Sequence, residues 1–309
     1  MMLSIVVPLY NEEESVEAMY AAIDAAVAEL DYPYEILFVD DGSKDRTFAL
    51  ASQLAAVDPC LRVLRFRRNY GQTPAMAAGI DHAKGSVIVT MDGDLQNDPR
   101  DIAMLVERLD EGYDIAVGWR FNRQDKLITR KIPSRIANWI IGKITGVPIK
   151  DNGCSLKAYR ADVIKRIPLY SDMHRFIPAM ASIAGTRVSE VKVRHHARQF
   201  GESKYGLGRI YKVLVDLLAV KTIVAFSSRP MLWFTLLSIP FAVGSILCIA
   251  ASIFTLARGG DMSLPIAGSG VLLGSLGVFL ILNGALAELV YKTGDVRTGS
   301  LASLTMKSE

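Results

Sequence analysis

The stretch SVIVTMDGDLQNDP, residues 86–99, decides how this chain is read. Ser86 to Thr90 are uncharged and rich in β-branched residues, the composition of a strand covered on both faces. Asp92 and Asp94 follow, with one glycine between them. If the strand continues through them, residues i and i+2 point to one face and the two carboxylates converge. Carboxylates that close repel, and one binds a proton unless a cation sits between them. Hard oxygen donors of this kind suit Mg2+ or Mn2+, ions that keep positions open for phosphate oxygens. Gly93 lets the chain approach closely. A D-x-D alone occurs by chance in many chains, so its context has to supply the meaning.

That context is a regular alternation. SIVVPLY (4–10), YEILFVDD (34–41), LRVLRF (61–66), SVIVTMD (86–92) and DIAVGW (114–119) read as strands, and 12–30, 44–57, 72–84 and 99–111 carry helical patterns. The order implies a doubly wound α/β sheet with right-handed crossovers. Such sheets bind ligands beyond the carboxyl ends of their strands. Polar clusters stand at those ends: PLYNEEE (8–14), DDGSKD (40–45), DGDLQ (92–96) and GWR (118–120). Each cluster is also ordinary turn chemistry, and Ser43 or Asp45 suits a helix cap. Four of them on one sheet edge point to a binding site.

The motifs VPLYNEEES, FVDDGSKDRT and MDGDLQNDP, in this order and spacing, resemble those of GT-A-fold family 2 glycosyltransferases, a Rossmann-like architecture. With its apolar C-terminal region, the chain is similar to the polyprenyl-phosphate branch, which includes dolichol-phosphate mannose synthase and bacterial glucosyl and aminoarabinosyl relatives. The likeness runs from about residue 3 to 205 and, with the apolar region, to about 290. It implies an inverting transfer of a sugar from a nucleotide-sugar to a polyprenyl phosphate, with UDP-glucose as the expected donor. Mannose, N-acetylglucosamine or aminoarabinose, another lipid acceptor, and a non-catalytic nucleotide-sugar-binding scaffold are the alternatives.

By the same resemblance, Pro8, Tyr10, Asn11, Glu12, Asp40 and Asp41 hold the base and ribose, with Asp92 completing the donor site. Asp92, Asp94 and Gln96 hold Mg2+ or Mn2+ and the diphosphate. Arg120, Arg130, Ser134, Arg198, Ser203 and Lys204 match acceptor-phosphate ligands. Asp94, Asp151 and Arg198 take the catalytic roles, Asp151 lying near the sugar as either base or orienting group. Cys154 departs from the aromatic residue that many relatives carry, and the QxxRW motif of processive synthases is absent. The chemistry is coherent. A phosphate monoester is already anionic and needs no strong base. It needs cations to align it, and arginine clamps phosphate bidentately.

Hydropathy divides the remainder. No charged residue occurs from Met231 to Ala257 or from Leu264 to Ala287. As helices these runs span roughly 40 and 36 Å, enough to cross a bilayer core of about 30 Å. Pro240 is expected to kink the first, and Pro265 falls in the first turn of the second. Lys221 and Arg229 precede the pair, Lys292, Arg297 and Lys307 follow it, and the connecting loop holds Arg258 beside Asp261. The positive-inside rule then places the N-terminal region and the C-terminus in the cytoplasm, as a multi-pass protein of the cell (inner) membrane. Gly270 and Gly274 form a small-xxx-small pair, for packing within the hairpin or between subunits of a homo-oligomer.

The expected organisation is a GT-A catalytic domain at 1–205, an interfacial amphipathic region at 206–228, two transmembrane helices within 229–290 and a cytoplasmic tail at 291–309. Segments 132–149 and 208–226 carry apolar stripes with flanking Lys and Arg, a pattern shared by interfacial helices and by core-facing ones. Three widely spaced cysteines, Cys60, Cys154 and Cys248, form neither a disulfide framework nor a zinc pattern. His174, His195 and His196 read as surface or packing residues. The net charge of +3 is too weak to argue for nucleic acid. The opening MMLSIVVPLYNEEES lacks the basic region of a signal peptide.

Overall fold

The computed structural model describes residues 1–121, 142, 149–167, 169, 177–183, 185–197, 229–261 and 263–293. The chain forms two compact units that divide near residue 220. Arg130, Ser134, His174, Arg198, Ser203 and Lys204, the segment 208–226 and all but residues 142 and 149 of the segment 132–149 lie outside the described residues.

The first unit is built on a seven-stranded sheet. Its elements begin β1 (Leu3–Leu9), α1 (Val16–Ala28), β2 (Tyr34–Asp40), α2 (Thr47–Val57), β3 (Leu61–Arg65), α3 (Gln72–His82) and β4 (Val87–Thr90). A 3-10 turn (Pro99–Asp101) leads into α4 (Ile102–Asp110), followed by β5 (Ile115–Arg120), β6 (Lys157–Arg160), α5 (Ala161–Ile164), α6 (Ile177–Ile183) and β7 (Val188–Val193). The strand order is β3-β2-β1-β4-β6-β5-β7. All five strands expected from the sequence form. β4 and β5, however, are not neighbours, because β6 enters between them antiparallel to both. β7 then pairs in parallel with β5. The sheet is therefore mixed rather than uniformly parallel. β6 reads KAYR, four residues with a cation at each end, and gives no apolar run to detect.

The continuous apolar strands follow from burial on both faces. Ile5 and Val7 join Ile36, Phe38 and Val89 beneath α1, α2 and α4. Val6, Leu37, Val39 and Ile88 face the other way, against α3, α5 and α6. Successive residues of one strand thus serve opposite cores, as the period of two requires. Each fully buried aliphatic side chain contributes about 1.5–3 kcal/mol. Gly79 lets α3 press against this surface: a Cβ there would stand 2.2 Å from Val6 Cγ1 and 3.1 Å from Val39 Cγ2.

The topology also sets where function can gather. The carboxyl ends of β1 to β5 and β7 share one edge of the sheet, and because β6 runs the other way its leading segment, 151–156, reaches the same edge.

The second unit is a helical hairpin, α7 (Pro230–Ala257) and α8 (Leu264–Thr293). Both are long and apolar enough to cross a membrane, with only 17% and 11% of their most apolar windows buried. A core helix of a soluble protein would be mostly buried. α7 continues through Pro240, and Pro265 lies in the first turn of α8, where its missing N–H costs nothing. The seam between the helices is made of small residues. Ser238, Ser245 and Ser252 recur every seven residues as the buried face of α7. A Cβ at Gly274 would meet Ser245 Oγ at 2.8 Å, one at Gly270 would meet Ile249 Cγ1 at 2.9 Å, and one at Gly284 would meet Phe234 Cβ at 2.7 Å. The glycine pair singled out in the sequence thus packs within the hairpin, where close helix approach replaces the hydrophobic drive that lipid removes.

Candidate active site

The first two strand-to-helix loops hold each other. Asn11 adopts φ 52°, a left-handed conformation that asparagine tolerates. Its N–H donates to Ser43 Oγ at 2.9 Å, and its Oδ1 accepts the Lys44 N–H at 2.9 Å. The Glu12 N–H donates to Thr47 Oγ1 at 2.8 Å. Asp45 accepts both the N–H and the hydroxyl of Thr47 at the start of α2, at 3.0 and 2.6 Å. Burial alone would raise the Asp45 pKa, but these bonds and the Glu13 N–H hold it below the usual value. Pro8 and Tyr10, half-buried, flank this junction.

Asp40 and Asp41 are turned to protein partners. Asp40 is fully buried: Oδ1 accepts the Ser43 N–H at 3.1 Å and Oδ2 lies 3.5 Å from Arg65 Nε. Asp41 accepts the N–H groups of Tyr70 and Gly71 at 2.7 and 2.8 Å and the Asn69 amide at 2.9 Å. Burial, helped by the neighbouring Asp40, raises its pKa against those bonds. The sequence reading expected both carboxylates to contact the nucleotide. The bonds they make within the protein fix the loops 42–44 and 69–71.

The D-x-D lies beyond the strand. β4 ends at Thr90, so a shared strand face is not what brings Asp92 and Asp94 together, and that expectation is corrected. Residues 92–97 form a loop with Leu95 at φ 56°. Gln72, the first residue of α3, donates its side-chain amide to Asp92 Oδ1. Asp94 Oδ1 accepts the Gln96 N–H at 3.2 Å, an Asx turn that folds Gln96 back toward it. Gly93 is required by space: a Cβ there would sit 2.5 Å from Leu9 Cδ2 and 3.3 Å from the Pro8 carbonyl. Ser15 Oγ donates to the Gly93 carbonyl at 3.1 Å.

Asp92, Asp94 and Gln96 are each half-buried, so solvent reaches the loop that carries them. Among the described residues no group of three or more His, Cys, Asp or Glu gathers. Two carboxylates and an amide on one loop are hard oxygen donors, too few to close a cage by themselves. That set fits Mg2+ or Mn2+, ions whose coordination substrate phosphates complete.

Arg120 and Asp151 act on each other. Arg120 Nε and Nη2 donate to Asp151 Oδ2 and Oδ1 at 2.7 and 2.8 Å, and the Arg120 N–H reaches Oδ2 at 3.3 Å. Their side chains are 15% and 3% exposed. Burial would lower the arginine pKa, yet the Asp151 carboxylate outweighs it and raises it. The sequence reading gave these residues to the acceptor phosphate and the sugar as separate ligands; here they form one bidentate pair. Nearby, the buried Lys157 Nζ donates to the Asn152 carbonyl at 3.3 Å. Cys154 is wholly buried, and burial pushes its thiol up to about 11, so this departure from the family pattern is a packing residue.

The end of β7 closes the site's far side. His195 bridges Asn97, and the His196 N–H donates to the Gln96 carbonyl at 2.8 Å. Arg194 Nε and Nη2 hold the fully buried Asp101 at 2.8 and 2.6 Å. His196 Nε2 lies 3.2 Å from Asp98. Arg100, with help from His196 and Arg194, holds the Asp98 carboxyl well below the usual range. His195 is half-buried and His196 is exposed, in line with the expectation of surface or packing residues. Gln72, Asn97, Ser155 and Arg194 were missed, because each is an unremarkable residue whose only signal is lying on a segment that the topology brings to this edge.

The model of the family "Glycosyl transferase family 2" matches residues 4–168. The chain is 43% identical over 297 residues to dodecaprenyl-phosphate galacturonate synthase of Rhizobium johnstonii, which covers 94% of this chain and 88% of that protein. It is 38% identical over 259 residues to undecaprenyl-phosphate 4-deoxy-4-formamido-L-arabinose transferase of Pseudomonas fluorescens, covering 84% and 74% of the two chains. Glucosyl-3-phosphoglycerate synthase from Mycobacterium tuberculosis, solved with Mn2+, UDP and glucosyl-3-phosphoglycerate, superposes with a TM-score of 0.55 at 16% identity over 71% of this chain and 79% of that one. The mixed sheet is of the GT-A type. The chain belongs to glycosyl transferase family 2 and is a glycosyltransferase whose relatives include polyprenyl-phosphate sugar synthases and transferases.

Proposed function

We propose that the protein transfers a uronic acid or a related sugar from a nucleotide-sugar to a polyprenyl phosphate at the cytoplasmic face of the membrane. The observation that carries this reading is the convergence of the 92–96 loop and the Arg120–Asp151 pair on one sheet edge, in a chain that also holds a membrane-length hairpin. Asp92, Asp94 and Gln96 would hold Mg2+ or Mn2+, which when bound supplies positive charge to the leaving diphosphate. The loops 42–44 and 69–71, shaped by Asp40 and Asp41, frame the donor site with Pro8, Tyr10, Asn11 and Glu12. The acceptor phosphate is already a nucleophile, so Asp151 serves to orient Arg120 rather than as a base. Its burial and double guanidinium contact support that role. By resemblance, Arg130, Ser134, Arg198, Ser203 and Lys204 complete the phosphate site.

Glucose was the expected sugar, but the two relatives described above handle galacturonate and formamido-arabinose. A galacturonate donor is the better choice, since that relative matches nearly the whole chain. UDP is the nucleotide in the Mycobacterium tuberculosis neighbour. The test offers labelled UDP-galacturonate, UDP-4-deoxy-4-formamido-L-arabinose and UDP-glucose in turn, with a polyprenyl phosphate. Label is expected in a mild-acid-labile lipid from the galacturonate donor. Label from UDP-glucose alone overturns the sugar; no lipid label from any donor overturns the reaction.

The orientation follows from the basic residues flanking the hairpin. A reporter fused after Glu309 is expected on the cytoplasmic side and one inserted at Gly260 on the opposite side. The reverse result removes the site from cytosolic nucleotide-sugar. The Gly270/Gly274 pair packs inside the hairpin and so gives no support to a homo-oligomer contact.

A further inference from the structure

We propose that Ser155 is a positioning residue that holds the two ends of the 92–97 loop together and so sets the spacing of its oxygen donors. The inference rests on the reading of that loop as the metal and diphosphate site. The Asp92 N–H and the Asn97 side-chain amide both donate to Ser155 Oγ, at 3.2 and 2.9 Å. One hydroxyl therefore receives the first and last residues of the loop. A hydroxyl oxygen has two lone pairs and can accept both.

The serine is itself held. Its carbonyl accepts the Thr90 hydroxyl at 2.9 Å, at the last residue of β4, and the residue is 7% exposed. Asn97 is 4% exposed, with its Oδ1 facing the Cys154 thiol at 3.7 Å. On the outer side, the His196 N–H to the Gln96 carbonyl and the Asn97–His195 bridge close the loop against β7's end. The loop is thus gripped on both sides by segments far from it in sequence. A neutral acceptor is the fitting choice. A carboxylate here would set a third negative charge beside Asp92 and Asp94, and an alanine would leave two inward donors without their partner. Outer partners of this kind orient metal ligands without touching the ion.

The test uses the full chain in detergent or nanodiscs. UDP affinity is measured by calorimetry with saturating Mn2+ and again in EDTA, beside transfer kinetics. Ser155→Ala is expected to weaken UDP binding in Mn2+ by about tenfold and to leave affinity in EDTA and the KM for the lipid acceptor unchanged. Ser155→Thr, which keeps the hydroxyl, is expected to recover most of the loss. Asn97→Ala removes one arm of the clasp without altering Ser155 and is expected to give a smaller loss in the same direction. Equal weakening in Mn2+ and in EDTA marks a merely structural residue and overturns the proposal. So does unchanged Mn2+-dependent affinity in both alanine variants, provided Asp94→Asn loses it. If Asp94→Asn also keeps that affinity, the metal reading of the loop fails and the role of Ser155 falls with it.

Discussion

Asp94→Asn is expected to abolish sugar transfer, with kcat falling by roughly 10³-fold, about 4 kcal/mol of barrier. The substitution is close to isosteric. Its amide oxygen still accepts the Gln96 N–H, which Asp94 Oδ1 takes at 3.2 Å, so the Asx turn survives. What disappears is the negative charge that a hard divalent cation requires from one of only two carboxylates in the loop. Loss of activity should therefore accompany loss of the Mn2+-dependent part of UDP binding, with no fall in thermal stability. EDTA should reproduce the defect in the unaltered protein, and added Mg2+ or Mn2+ should reverse it. Full activity in chelator, or in the variant, excludes the divalent-metal role.

Asp151→Leu is expected to damage both fold and activity, for one reason. Arg120 is 15% exposed and makes its two side-chain bonds to Asp151. Removing the carboxylate strands a guanidinium in a site that desolvates it. Breaking a buried pair from one side costs about 3–5 kcal/mol. Arg120→Met should destabilise as well, because the buried Asp151 loses its bidentate guanidinium partner. The double variant Arg120→Met/Asp151→Leu removes both charges together and is expected to regain most of the stability, because a well-packed apolar pair often replaces a buried ion pair at little cost. It should remain unable to transfer sugar, since the arginine is gone. Thermal unfolding of the two single variants and the double variant, beside lipid-transfer assays, separates the two roles. A double variant as unstable as either single one shows that the pair's geometry, rather than its stranded charges, supports the fold. A double variant with full activity removes Arg120 from the acceptor site.

These residues also show where sequence reading stops. The strand at 87–90 was legible because both its faces are buried, which writes an uninterrupted apolar run. The hairpin was legible because a bilayer demands two long uncharged stretches. β7 carried a weaker trace, the alternation of Val191, Lys192 and Val193 that an edge strand with one exposed face produces. β6 carried none, since its short segment owes its place to strands already on either side.

The same division runs through the site. The sequence by itself determined that Asp92, Asp94 and Gln96 stand together on one loop at a sheet edge, because neighbours in sequence cannot be far apart in space. It determined the succession of strands and helices for the same reason: periodicity and turn chemistry are local properties. Only the tertiary structure decided what those residues meet. Arg120 and Asp151 are 31 residues apart, Asn97 and Ser155 are 58 apart, and Asp101 and Arg194 are 93 apart. Each pair forms because β6 inserts antiparallel between β4 and β5 and β7 follows in parallel beside β5. That topology carries the segments 151–156 and 194–196 to the edge where the D-x-D emerges. A contact made by strand order leaves no spacing to read in the chain, and burial then fixes it by making an unpaired charge or amide costly.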